Sequence, residues 1–257
     1  MLPSIVKIEG HCAIITINNP PANTWTVASL QQLQDCVLQL NAMPEVRALV
    51  LTGAGDKFFS AGADLKQFAN GDKGHGATVA AAFGAAFEAL SHFRGVSIAA
   101  INGYAMGGGL EVALACDIRI AEEQAQLALP EASVGLLPCA GGTQNLTALV
   151  GEGWATRMIL CGERLTAAKA LAIGLVEEVV ASGSALSHAL ALAEKVTKQS
   201  PASVTACKRL IQAGRSMPRT QALPLEREWF VALFDTEDQQ EGVNAFLEKR
   251  PANWRNV

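Results

Sequence analysis

The chain has 257 residues, 50% of them hydrophobic and only 17% charged, with a formal charge of −4 and a mean hydropathy of +0.23. These values exclude a disordered chain and provide no electrostatic pull toward nucleic acid or an anionic membrane surface. They allow one large domain, or one domain with an appendage, and so apolar a composition implies surface buried between copies of the chain.

In chain order, Ile5–Ile8 and Ala13–Ile17 read as strands joined at Gly10-His11, and Asn18-Asn19-Pro20-Pro21 breaks the pattern. Leu30, Leu33, Val37 and Leu40 then recur at helical spacing within Val27–Leu40. Arg47–Thr52 reads as a short buried strand, followed by the turn Gly53-Ala54-Gly55-Asp56 and, around Thr78–His92, by a helix rich in Ala and Phe. The polar segment 70–78 between them reads as a mobile loop. Ser97–Asn102 and Asp117–Ala121 complete a strand and helix alternation that predicts a parallel, layered α/β core. Beyond residue 150 the strand signals fade. Gly151–Leu160 reads as helix, and Thr166 caps a helix ending at Gly174. Ser200-Pro201 opens another that runs to Ala213, and Thr236 with Gln239 forms a capping box for a last helix through Lys249. The chain thus divides into an α/β body, 1–195, and a helical tail, 196–257.

Several function classes are excluded. The longest uncharged stretches, 10–34 and 132–150, contain Pro, Asn, Gln and Gly, so neither is a membrane span. The first ten residues lack the apolar run of a signal peptide. Six cysteines without a CxxC pair and four isolated histidines give no metal-ligand rhythm, which predicts reduced thiols, a cytoplasmic setting and no metal. After Gly53-Ala54-Gly55 a dinucleotide fingerprint requires glycine at position 58, where Phe58 stands. His75 and His92 read as solvated surface residues.

Three segments carry chemistry. Phe59–Lys66 (FSAGADLK) places small residues after a strand, where backbone N–H groups come close to a ligand. Asn102–Glu111 (NGYAMGGGLE) ends a strand-to-helix loop in three glycines, so their amides crown a helix. Leu129-Pro130-Glu131 is followed by Pro138–Thr143 (PCAGGT). Two backbone donors hold an oxyanion, and two carboxylates, Glu111 and Glu131, divide acid and base duties. The same residues also suit a plainer reading, with each glutamate at a helix start facing the dipole and the glycines serving close packing.

The strings SAGADLK, NGYAMGGGLE and PEASVGLLPCAGGT resemble the enoyl-CoA hydratase/isomerase (crotonase) family, and the likeness continues through GERLTAAKALAIGLVEEVV, SPASVTACKRLI and EGVNAFLEKR. The resemblance implies a spiral of ββα turns with a helical C-terminal part that forms trimers, often paired into hexamers. It implies hydration of a 2-enoyl-CoA thioester, with coenzyme A as part of the substrate and no separate cofactor. Ala63 and Gly108 match the oxyanion-hole donors, and Glu111 and Glu131 the two glutamates that handle water. Ala61, Ala63, Asp64, Leu65 and Lys66 match the loop along the adenine and pantetheine of CoA. Phe246 and Lys249 match tail positions that reach a nucleotide site, sometimes on a neighbouring subunit. Two positions depart from the family pattern. Cys139 stands where many hydratases have Gly and reads as a buried small apolar residue. Pro20–Trp25 matches the family's early segment only loosely. The family also contains 3,2-enoyl-CoA isomerases, which keep one glutamate, and non-catalytic or RNA-binding members. Both glutamates here favour the hydratase, and the absence of Lys and Arg from Val27–Leu40 disfavours RNA binding.

Overall fold

The computed structural model describes residues 4–255. Residues 1–3 and 256–257, the ends of the expected body and tail, lie outside that range. An antiparallel hairpin, β1 (Ser4–Glu9) and β2 (Cys12–Ile17), starts the chain. Next comes α1 (Val27–Ala42), capped by the Thr26 hydroxyl and burying Leu30, Leu33, Val37 and Leu40. Three ββα units then follow: β3 (Ala48–Gly53), β4 (Phe58–Ser60) and α2 (Lys73–Ser91); β5 (Val96–Ile101), β6 (Tyr104–Met106) and α3 (Gly108–Ala115); β7 (Ile118–Glu122), β8 (Gln126–Ala128) and α4 (Gly142–Ile159). The body closes with β9 (Leu165–Thr166), α5 (Ala167–Ala172), β10 (Glu178–Val180) and α6 (Ala185–Thr197). The tail comprises α7 (Pro201–Ala213), α8 (Arg219–Ala232) and α9 (Glu237–Leu247).

The first strand of each unit enters a six-stranded sheet, β1-β2-β3-β5-β7-β10, parallel except at the hairpin. The second enters a four-stranded sheet, β4-β6-β8-β9. This is the expected spiral. The large sheet is apolar on both faces, which is why its strands read as unbroken hydrophobic runs. Leu49, Leu51, Ala99 and Ile101 face the main core with α1 and α2. Ala48, Val50, Ile98 and Ala100 face the opposite side, where α6 covers them with Ala185, Ala189 and Ala193. The 195/196 boundary falls near the end of this covering helix.

Several expectations are corrected. Segment 70–78 is a loop only at 70–72: Asp72 accepts the Gly74 N–H at 2.8 Å, and 73–78 is the start of α2. The helix expected from Gly151 is the second half of α4, whose two halves meet at Gly151 with φ +77°. The capping box at Thr236 is half formed. Its hydroxyl accepts the Gln239 N–H at 3.2 Å, but its own N–H is bound to the Leu233 carbonyl at 3.1 Å, and the helix ends at Leu247.

The tail is fastened to the body by a buried cation. Lys208 of α7, 8% exposed, donates to the Phe93 and Gly95 carbonyls at 2.6 and 3.0 Å and to Asp117 at 2.7 Å. Removing one partner of a buried ion pair costs more than the pair itself contributes, because the remaining charge stays buried. Lys208→Met is therefore expected to lower unfolding stability by about 3 kcal/mol, read from the urea midpoint. Adding Asp117→Asn should recover part of that loss.

Candidate active site

The C-terminal ends of the small sheet's strands meet one cavity of about 550 Å³. The loop after β4 supplies Ala61, Gly62 and Ala63, the turn after β6 supplies Met106, Gly107 and Gly108, and the segment after β8 supplies Pro130 and Glu131. Glu111 reaches the cavity from the first turn of α3, and Phe68, Phe83, Leu136 and Leu137 give it an apolar wall.

The first loop is held by the segment ahead of α1. Ala61 N–H donates to the Ala22 carbonyl at 2.9 Å, Trp25 N–H to Gly62 at 2.8 Å, and Asp64 N–H to Trp25 at 3.0 Å. These bonds leave the Ala63 N–H, midway between them, without a protein acceptor. Trp25 is fully buried, edge-on to Phe87, which fixes the loop against the core. Asn23 adds bonds to the Ala54 and Phe58 carbonyls at 3.0 and 2.9 Å. The loosely matching segment therefore acts as a scaffold, and Thr24 from it lines the cavity.

Gly62 has φ +87°, and a β-carbon there would stand 2.6 Å from the Met106 carbonyl and 3.1 Å from the Gly108 nitrogen. The first loop and the triple-glycine turn are thus in contact, which only glycine allows. Gly107 N–H is bound to Ala128 at 2.9 Å, whereas the Gly108 N–H, opening α3, has no protein acceptor. Two free N–H groups from touching turns form a place for an oxyanion.

The two carboxylates sit in contrasting surroundings. Glu111 is 2% exposed, and its Oε1 accepts the Ala140 and Gly142 N–H groups at 2.8 and 2.9 Å. Burial raises its pKa, and those N–H groups together with the Cys139 amide counter the rise by stabilising the ionised form. Glu131, in a single 3-10 turn after Pro130, buries both carboxylate oxygens with no hydrogen-bond partner. Its Oε1 faces the glycine turn, 3.0 Å from where a β-carbon on Gly107 would stand. Burial, with a smaller push from the Glu111 charge, raises its pKa from 4.5 to about 7.

Ala61, Ala63, Leu65, Gly108, Glu111 and Glu131 thus converge on one cavity. Asp64 and Lys66 do not line it; the Asp64 side chain accepts the Lys66 N–H at 3.2 Å and caps a short 3-10 turn. Phe246, 84% exposed, and Lys249 lie at the end of α9 and just beyond it, and neither lines the cavity. Cys139 is corrected: it is exposed rather than buried and lines the cavity, where partial desolvation, helped by the charges of both glutamates, raises its thiol pKa to about 11. Arg164 also lines the cavity and was not singled out, because a lone arginine before a two-residue strand has no pattern to mark it. Among the described residues no cluster of metal-ligating side chains occurs, and no helix is long and apolar enough to cross a membrane.

Residues 7–257 match the family model of enoyl-CoA hydratase/isomerase. The short-chain-enoyl-CoA hydratase of Clostridium acetobutylicum is 38% identical over 247 residues, covering 96% of this chain and 95% of that one. The crotonyl-CoA hydratase of Syntrophomonas wolfei is 36% identical over 255 residues, covering 97% and 96%. Among solved structures, Pseudomonas aeruginosa DspI is 63% identical with a TM-score of 0.97, covering 99% of this chain and 97% of that one. The enoyl-CoA hydratase from Bacillus anthracis is 36% identical with a TM-score of 0.95, covering 99% and 100%.

The environment of Glu131 has a measurable consequence. The folded protein keeps this proton up to about pH 7, whereas the unfolded chain releases it near 4.5. The stability linked to the proton is full below pH 4.5 and is lost as the pH rises through 7. Glu131→Gln removes that loss, so its Tm should exceed that of the unaltered protein at pH 8, with the difference vanishing near pH 4.

Proposed function

The chain belongs to the enoyl-CoA hydratase/isomerase family, and we infer that it is an enoyl-CoA hydratase, adding water across the 2-trans double bond of an acyl-CoA thioester to give the 3-hydroxyacyl-CoA. The observation that carries this reading is the pair of carboxylates in one cavity, one fixed by backbone N–H groups and one unpartnered. Hydration needs a base for water and an acid for carbon. A 3,2-isomerase needs one shuttling carboxyl.

Glu111, kept toward its ionised form by its amide donors, takes a proton from water as the water oxygen bonds to C3. The π electrons move through C2 to the thioester oxygen, and the Ala63 and Gly108 N–H groups hold the resulting enolate. Glu131, protonated in its apolar setting, delivers its proton to C2. The enolate collapses to the thioester, and solvent returns the proton from Glu111 to Glu131. The step involves no net redox change, so it calls for no redox cofactor, and the two N–H donors take the place of a Lewis acid at the thioester oxygen. Coenzyme A enters only as part of the substrate. Leu65 and its neighbours on the first loop, with Lys66 beside them, serve as the surface for its pantetheine and adenine, and Phe246 and Lys249 serve a nucleotide site completed between subunits.

Exposed Phe230, Val231, Phe234, Phe246 and Leu247 on the tail support assembly of copies into a trimer or hexamer. Six free cysteines suit a reducing cytoplasm. Light scattering should find no stable monomer of 26.9 kDa at micromolar concentration.

Glu111→Gln should lower hydration of crotonyl-CoA by about 10²–10⁴, followed by absorbance of the conjugated thioester. Any isomerisation of a 3-enoyl-CoA should survive that change better, whereas Glu131→Gln should abolish both. Near-normal hydration by Glu111→Gln would sink the assignment. Because the acid is the protonated form of Glu131, kcat/KM should fall as the pH rises through about 7. In Gly108→Val the new β-carbon would stand 2.7 Å from the Phe83 ring, displacing the donor N–H. It should lower kcat far more than it weakens binding.

A further inference from the structure

The small sheet sets out the site in strand order. The oxyanion donors follow β4 and β6, and Glu131 follows β8. The fourth place belongs to β9, which runs antiparallel to β8 with Leu165 opposite Leu127. Continuing that register by one residue brings Arg164 level with Ala128, at the end of the sheet where the catalytic turns lie. Three strand spacings, roughly 14 Å, separate this edge from the first loop.

Among the described residues Arg164 is the one cation lining the cavity, and its exposed guanidinium makes no ion pair or hydrogen bond. The adjacent carboxylate is engaged elsewhere, since Glu163 binds Arg157 through two bonds of 2.5 and 2.9 Å. The oxygens of Glu131 have no donor either. The guanidinium rests 5.9 Å from the Tyr104 ring centre, which steadies it without neutralising it.

The hydratase reading fixes the direction of the substrate. On that reading, a thioester oxygen at the turns of β4 and β6 puts C2 and C3 beside Glu131 and leaves the β9 side of the cavity for the rest of the acyl chain. We propose that Arg164 binds a carboxylate at the far end of the acyl group, so that the site takes 2-enoyl thioesters of dicarboxylic acids. The guanidinium fork matches a carboxylate in two places, and the apolar wall of Leu136 and Leu137 accommodates the methylenes between.

The inference rests on the hydratase reading only for the direction of the acyl chain, and a binding measurement separates the two. Hexanoyl-CoA and adipyl-CoA differ only in a terminal methyl or carboxylate, and neither has a double bond to hydrate. Calorimetry on the intact assembly should show the preference for adipyl-CoA over hexanoyl-CoA falling about tenfold in Arg164→Met, the scale of one partly exposed charge-assisted bond. Arg164→Lys should fall between, keeping the charge and losing the fork. The preference should shrink with added salt. An unchanged preference in Arg164→Met overturns the proposal, including the case where both ligands weaken alike because the arginine holds a CoA phosphate. Failure of the unaltered protein to hydrate any 2-enoyl-CoA, of whatever length and with or without a terminal carboxylate, would instead sink the hydratase reading and leave the binding comparison standing.

Discussion

A single oxygen, Oε1 of Glu111, organises the site. It accepts the N–H groups of Ala140 and Gly142, and so ties the first turn of α3 to the start of α4 across about thirty residues of chain. A carboxylate so deeply buried is costly unless its lone pairs are satisfied, and two short bonds to backbone donors satisfy it. In return the loop carrying Cys139 is drawn over the cavity. Without this tie, the loop carrying Cys139 would lose its anchor and Glu111 the donors that set it apart from Glu131.

That difference follows from partners more than from depth. Both carboxyls are buried, and burial raises both pKa values. Backbone donors of the 139–142 loop pull Glu111 back toward ionisation, whereas Glu131 has only its own amide to oppose the rise and is also pushed upward by the Glu111 charge. Two chemically identical side chains thus acquire different surroundings from the positions of a few peptide N–H groups. The two free N–H groups arise in the same way. Ala63 and Gly108 are free because their neighbours' hydrogen bonds are already committed.

The scaffold keeps these positions fixed. The large sheet is packed on both faces, by α1 and α2 on one side and α6 on the other, so its strands tolerate little shift. The cavity-lining turns leave β4, β6 and β8 of the small sheet, each of which follows directly from a strand of the large one. The geometry of the turns is therefore inherited from a rigid core. The tail rests on that core through Lys208 and leaves apolar side chains of α8 and α9 facing outward.

The sequence alone determined the features that are local. The leucine and valine stripe of α1, the unbroken apolar run of β3, and the caps at Thr166 and Ser200 are written in consecutive residues, and each formed as read. The glycine and glutamate motifs were legible too, because close backbone approach and a buried acid require those residue types, and their likeness to one family pointed to the spiral. Tertiary structure decided what depends on distant partners. Strands β4, β6, β8 and β9 are two or three residues long, too short to show a period, and they form only by pairing with one another. The helix α8 has no buried face to betray it and contains Pro224. Asp72 turned an expected loop into the start of a helix whose Val79 and Phe83 reach the core. The exposure of Cys139 and the contrasting partners of Glu111 and Glu131 are set by groups distant in sequence. Electrostatics and burial act through space, and a sequence records them only through the fold that brings those groups together.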